Sequence, residues 1–309
     1  MKRRPKSTWR LAGAAMLLAG AGTGCAAAST STAAPTSPAA QAGAVSSSAI
    51  PEMHRPAAIE LTGALEQGGW ARGTAPAGTV SLDLDGKPVS VAPDGSFFIA
   101  FDRNAGSAAS LVAHLSGGGI VHRDLAIAPR EWDIERLNIP MKPRKMPSAA
   151  FLRIRKGELS QIHAARAMRT GADGWRQKFI WPVTGRISGK FGSQRIYQGV
   201  AGSYHSGIDI ATGHSGTPIV APADGTVVLA ATDPFTLEGH LLMIDHGMGL
   251  NSAFLHCSEL DVKVGDHVKQ GQMIARIGMT GRATGPHLHW SVKWKDARLD
   301  PLLLAGPMP

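Results

Sequence analysis

Near the C-terminus, His287 and His289 stand two residues apart in the apolar run Gly285-Pro286-His287-Leu288-His289-Trp290-Ser291-Val292. Residues two apart in a β-strand share a face. The pair therefore offers two imidazoles to one side, each able to bind a metal or move a proton near neutral pH. Upstream, His205-Ser206-Gly207-Ile208-Asp209 sets a histidine and a carboxylate four apart, with Gly207 to relax the backbone between them. With His289 these make two nitrogens and one oxygen. Zinc accepts such a set and keeps a fourth position for water, the catalytic rather than the structural pattern. Hydrolysis of an amide also needs a base for the water and an acid for the leaving amine. His287, on the face of His289, and His256, at the end of the apolar run Ala253-Phe254-Leu255, are the candidates for that work. His214, His240, His246 and His267 lack such company and read as loop or structural residues.

Strands must position these groups. Across residues 179–309, predicted strands fall at 187–191, 218–221, 225–230, 241–246, 252–255, 272–277 and 289–293, with no long helical pattern among them. Residues 140–178 read as a basic helical connector, because Leu152, Leu159, Ile162 and Ala165 recur at helical spacing before a stop at Gly171. Residues 59–130 alternate apolar and polar positions, with turns at Asp85-Gly86 and Asp94-Gly95. That pattern predicts a small β-sandwich similar to the immunoglobulin-like modules of bacterial envelope proteins. It holds no clustered acids or nucleophile, and His114 and His122 are isolated, so it reads as a spacer or docking surface. The fold class expected is mainly β: an N-terminal immunoglobulin-like sandwich, a basic connecting helix and a C-terminal antiparallel β-sheet domain.

Ahead of these lie residues 26–58, rich in Ala, Ser, Thr and Pro and read as a disordered tether. Residues 1–25, basic then apolar, have the build of a secretory signal too short to span a bilayer stably. Export to the periplasm or envelope is expected. Thr23-Gly24-Cys25 resembles the end of a lipobox, with Gly22 where that box carries Leu, which makes Cys25 a candidate for lipid anchoring to the membrane. Cys257, the other cysteine, reads as a small buried hydrophobe.

The formal charge of +9 includes five cations from Lys2, Arg3, Arg4, Lys6 and Arg10, so no nucleic-acid partner follows from it. Residues 140–200 hold 13 Lys and Arg against Glu158 and Asp173. Such a run is a solvated face or an attraction to an anionic polymer or membrane, weakened by salt.

From about 185 to 301 the chain resembles the LytM/lysostaphin-type zinc metallopeptidases of bacterial cell walls. Their His-x-x-x-Asp matches His205 and Asp209, their His-x-His matches His287 and His289, and their separate catalytic histidine matches His256 in Phe254-Leu255-His256-Cys257-Ser258. Phe191-Gly192, Asp224-Gly225, Asp245-His246-Gly247, Gly265-Asp266 and Thr284-Gly285-Pro286 follow in family order; Cys257 in place of Leu is the main departure. The resemblance implies one zinc ion on His205, Asp209 and His289, with His256 and His287 assisting water and the transition state. It implies a zinc endopeptidase cutting peptide cross-links of peptidoglycan by attack of a zinc-activated water. Lysostaphin-like members cut glycine bridges and envelope members the D-alanine–diaminopimelate link, the latter being the bond expected for an exported chain with this tether. In some family members a preceding segment blocks the groove, which makes residues 170–200 the candidate segment here; an envelope regulatory protein is a candidate partner. The alternative is a non-catalytic wall-binding activator of a separate amidase; such relatives typically lose ligands, and none is lost here. Residues 264–274 also resemble the strand-turn of biotinyl and lipoyl carriers, without their Met-Lys-Met element.

Overall fold

A computed structural model describes residues 57–141 and 147–309. The signal segment, Cys25, nearly all of the tether and Lys142, Arg144 and Lys145 of the basic run lie outside the described residues. Antiparallel β-structure dominates, as the sequence predicts.

The N-terminal module has seven strands. Glu60–Ala64, Trp70–Thr74 and Ser96–Ala100 form one antiparallel sheet, and Lys87–Val89, Thr79–Leu84, Ala108–Leu115 and Ile120–Ala126 form the other, in that order. Asp85 and Gly86, both at positive φ, close the hairpin in which Leu84 pairs with Lys87, the two-residue turn that Asp-Gly favours. The module is not a spacer. Alternation puts Ala71, Phe97 and Ile99 inside the sandwich and sends Trp70, Arg72 and Phe98 to the opposite face. That outer face is covered by the C-terminal region. Phe98 stacks on Trp70 at 5.9 Å and meets Trp294 at 6.4 Å; Trp70 Nε1 donates to Leu303 O, and the Arg72 guanidinium donates to Trp175 O and Gln177 O. The described residues are accordingly one compact unit with a shared core.

Between the N-terminal module and the connector lies an unanticipated strand, Ile134–Leu137, which pairs in parallel with Gln194–Tyr197. The connector helix runs Ala149–Ala167, and the Ser148 side chain caps it by accepting from Phe151 N. Only part of the expected apolar stripe is used. Ile162 and Ala165 are buried against Val228, Leu241, Met243 and Ala253, whereas Leu152 is 52% and Leu159 37% exposed. Polar groups dock the first half of the helix instead: Arg155 pairs with Glu238, and Glu158 accepts from Thr236 N and Oγ1.

The C-terminal sheet has the order His267–Val268, Gly225–Ala230, His240–Asp245, Leu250–Cys257, Leu288–Trp294, Ile208–Ala211, Arg186–Gly189, with Ala297–Leu299 hairpinned onto Leu288–Trp294. Leu288, Trp290 and Val292 face the core, leaving His289, Ser291 and Lys293 on the other face. The sequence reading did not include Ile208–Ala211, the strand that carries Asp209.

His246 is fully buried between Asp224 O and Ser252 Oγ, and burial pushes its pKa down from 6.5 to about 4. The folded chain thus binds fewer protons here than the unfolded chain between those values. The stabilisation is complete above pH 6.5 and is lost as pH falls towards 4. Comparing denaturant unfolding at pH 7 and pH 4, the pH-dependent loss should be about 3 kcal/mol smaller in His246→Gln than in the parent.

Candidate metal centre

Asp209 and His289 are direct cross-strand partners, and neighbours so paired hold their side chains about 5 Å apart at Cβ. His205 reaches them from the loop that follows Val200–Ala201. Its Nε2 lies 3.1 Å from Asp209 Oδ1 and 3.0 Å from His289 Nδ1, and His289 Nδ1 lies 2.8 Å from Asp209 Oδ1. Among the described residues this is the only His/Cys/Asp/Glu group of three placed to hold a metal ion. Ligand atoms about 2.1 Å from a tetrahedral zinc stand roughly 3.4 Å apart, so the donors need spread by only a few tenths of an ångström. The residues fit the ion.

The surroundings leave room for these rings. A Cβ on Gly189 would stand 2.4 Å from Asp209 Oδ2, and one on Gly207 would stand 2.7 Å from His289 Nε2. Lys190 O takes the Nδ1 hydrogen of His205 at 3.0 Å, leaving Nε2 as the donor atom. Burial works against ionisation of Asp209, yet hydrogen bonds from His205 and His289 hold its carboxyl well below the usual carboxylate range. Burial also disfavours protonation of His289, whose pKa is lowered. In His205 burial acts the same way but the Asp209 contact outweighs it, and the pKa is raised.

His256 and His287 flank the triad without belonging to it. Their rings lie 4.9 Å apart, and the His256 ring lies 6.4 Å from that of His289. His256 has φ +65°, a left-handed conformation uncommon outside glycine. It sits where the pairing of Leu250–Cys257 with His240–Asp245 shifts register, and this bulge turns its ring out of the strand's alternation. His256 Nδ1 donates to Thr280 O at 2.9 Å and His287 Nδ1 donates to Gly285 O at 2.9 Å. In each neutral ring Nε2 is then the unprotonated nitrogen; that of His287 lies 3.8 Å from Asp209 Oδ1. Burial lowers the pKa of His256, favouring that neutral form. The structure therefore assembles all five sequence-derived residues at one place. Thr284-Gly285-Pro286 carried a signal for this support, but Thr280 and Lys190 act through backbone carbonyls and left none.

The other histidines stay apart: His214 bonds Thr217, His267 bonds Thr226, and His246 is the buried residue described above. Cys257 is buried beside the site, and burial pushes its thiol up to about 12. A cleft of about 920 Å³ opens from His205 and Asp209 between residues 133–141 and 193–204, with Arg282 on its wall. Of residues 170–200, Gly189 and Lys190 pack against the ligands. Trp175, Phe179 and Trp181 are buried in the core, and Ser193 to Tyr197 form one side of the cleft.

The N-terminal module grips the loop that bears His205. Arg103, buried and stacked at about 5 Å on Trp132 and Tyr204, donates through Nε and Nη2 to Gly192 O; Gly192 N in turn donates to His205 O. Arg103→Met should weaken zinc binding by about 10-fold or more, the scale on which supports behind metal ligands act, in a chelator-competition titration. Phe97→Leu, in the same module but away from this loop, should leave zinc affinity unchanged.

Residues 203–301 match the profile of Peptidase family M23. The chain is 35% identical over 135 residues to peptidoglycan DD-endopeptidase ShyB of Vibrio cholerae, covering 44% of this chain and 28% of that protein. To a lipoprotein NlpD/LppB homolog of Pseudomonas aeruginosa it is 37% identical over 129 residues, covering 42% and 39%. It spans well under half the length of either relative. A crystal structure of a peptidase M23 protein from Pseudomonas aeruginosa superposes with a TM-score of 0.60 at 28% identity, covering 78% of this chain and 95% of that one. So large a share extends beyond the C-terminal sheet. The family match falls on the stretch whose motifs carried the resemblance.

Proposed function

We propose that the protein is a zinc-dependent endopeptidase of the bacterial envelope that hydrolyses peptide cross-links of peptidoglycan at the D-alanine–diaminopimelate bond. One observation carries the reading: beside a complete His-Asp-His triad stand two further histidines, each with Nδ1 committed to a backbone carbonyl. A triad that served only structure or wall binding has no use for them, and this favours the enzyme over the non-catalytic activator. His205, Asp209 and His289 would hold the ion. When bound, zinc supplies the Lewis acidity that polarises the scissile carbonyl and eases ionisation of water. His256 Nε2 accepts the proton of the attacking water and returns it to the leaving amine. His287, on the face of His289, donates to the developing oxyanion in its protonated form. The cleft admits an extended peptide, and Arg282, whose guanidinium has no partner among the described residues, lines it.

Support for the substrate comes from relatives such as ShyB and ShyA, both peptidoglycan DD-endopeptidases of Vibrio cholerae. Export and lipid attachment at Cys25 belong to the same reading. The test is mass analysis of purified cross-linked muropeptides after incubation with zinc-loaded protein. Monomers ending in a new D-alanine carboxylate are expected. Unchanged dimers, or release of intact stem peptides from the glycan, would overturn it.

A further inference from the structure

Beyond the metal centre, one spot on the same face of the sheet collects positive charge that neighbouring acids offset only in part. Lys293 lies four residues after His289 on that face, about 13 Å along the strand. Its direct cross-strand partner is Arg298, and like charges so placed are destabilising. The helix Ala149–Ala167 brings in Arg166: Ala165 packs with Ala253, itself the cross-strand partner of Ser291. Arg166 Nε is the one buried side-chain nitrogen or oxygen without a hydrogen-bond partner among the described residues. Burial and the neighbouring cations lower the pKa of both Arg166 and Lys293. The nearby acids offset the group only in part. Glu238 is engaged by Arg155, and Asp296 reaches Lys293 only at 3.7 Å from a fully exposed position.

We propose that Arg166, Lys293 and Arg298 form a subsite for a carboxylate of the substrate's stem peptide, some four extended residues from the bond that is cut. A carboxylate there would offset the charge of the three cations and relieve the Lys293–Arg298 repulsion. The subsite selects acidic stem peptides over those whose carboxylates are amidated. Arg298 also ties Tyr204, next to His205, by donating to its hydroxyl at 3.1 Å, so occupancy is felt beside the metal ligands.

This inference rests on the peptidase reading for the identity of the ligand, but its test does not need cleavage. Binding of an uncross-linked acidic stem tetrapeptide and of its fully amidated twin to the full chain is measured by calorimetry. The parent should bind the acidic peptide about 10-fold more tightly. Lys293→Gln and Arg166→Gln should remove most of that preference while zinc content stays unchanged. Equal binding of the two peptides by the parent, or a preference retained in Lys293→Gln, would sink the proposal; Lys293→Gln decides even if Arg166→Gln fails to fold. Failure of the peptidase reading would show separately, as intact cross-linked muropeptides after incubation with zinc-loaded parent.

Discussion

Replacing His256 by Asn is expected to lower kcat on cross-linked muropeptides by about 10²- to 10⁴-fold, the range removed with a general acid–base, while zinc content stays at the parental level. Asn is chosen for a structural reason. His256 occupies φ +65°, where Asn is tolerated far better than most residues, so the bulge should survive the change. Ala would add backbone strain to the chemical loss and blur the result. The ring is held by Thr280 O rather than by the triad, so its removal leaves His205, Asp209 and His289 in place. Activity within threefold of the parent would show that His256 Nε2 moves no proton in the rate-determining step. Loss of zinc together with activity would make it a support of the metal centre.

His289→Ala should abolish both stoichiometric zinc and measurable hydrolysis. His289 supplies Nδ1 at 2.8 Å from Asp209 Oδ1 and at 3.0 Å from His205 Nε2. Its loss leaves two donors where three converge, and it removes one of the hydrogen bonds that keep the buried Asp209 ionised. A ligand binding only the folded state stabilises it by about 4 kcal/mol at a thousand times its Kd. The parent should therefore melt at a higher temperature with zinc than with a chelator, and His289→Ala should melt at one temperature in both. A zinc-dependent shift persisting in the variant would place the ion elsewhere.

The candidate ligands, the two flanking histidines and the β-rich class were legible in residue types and spacing together with the family resemblance. Period-two geometry sends His287 and His289 one way while Leu288 and Trp290 go to the core, whatever the strand pairs with. Asp209 and His205 were legible as residue types, but not the strand beneath Asp209.

Tertiary pairing decided the rest. Alternation names a face and never a partner, so the register that sets Asp209 against His289 depends on strands eighty residues apart. A left-handed His256 costs local free energy and persists only because the shifted pairing and the Thr280 carbonyl over-determine it. The covering of Phe98 and Trp70 by the C-terminal region was invisible for the same reason. Their strands read as a normal sandwich, and only long-range packing shows that both faces are buried. The sequence by itself thus determined which atoms can hold a metal and move a proton. The tertiary structure decided how close they come, because distance between remote strands is set by pairing and packing that no local pattern encodes.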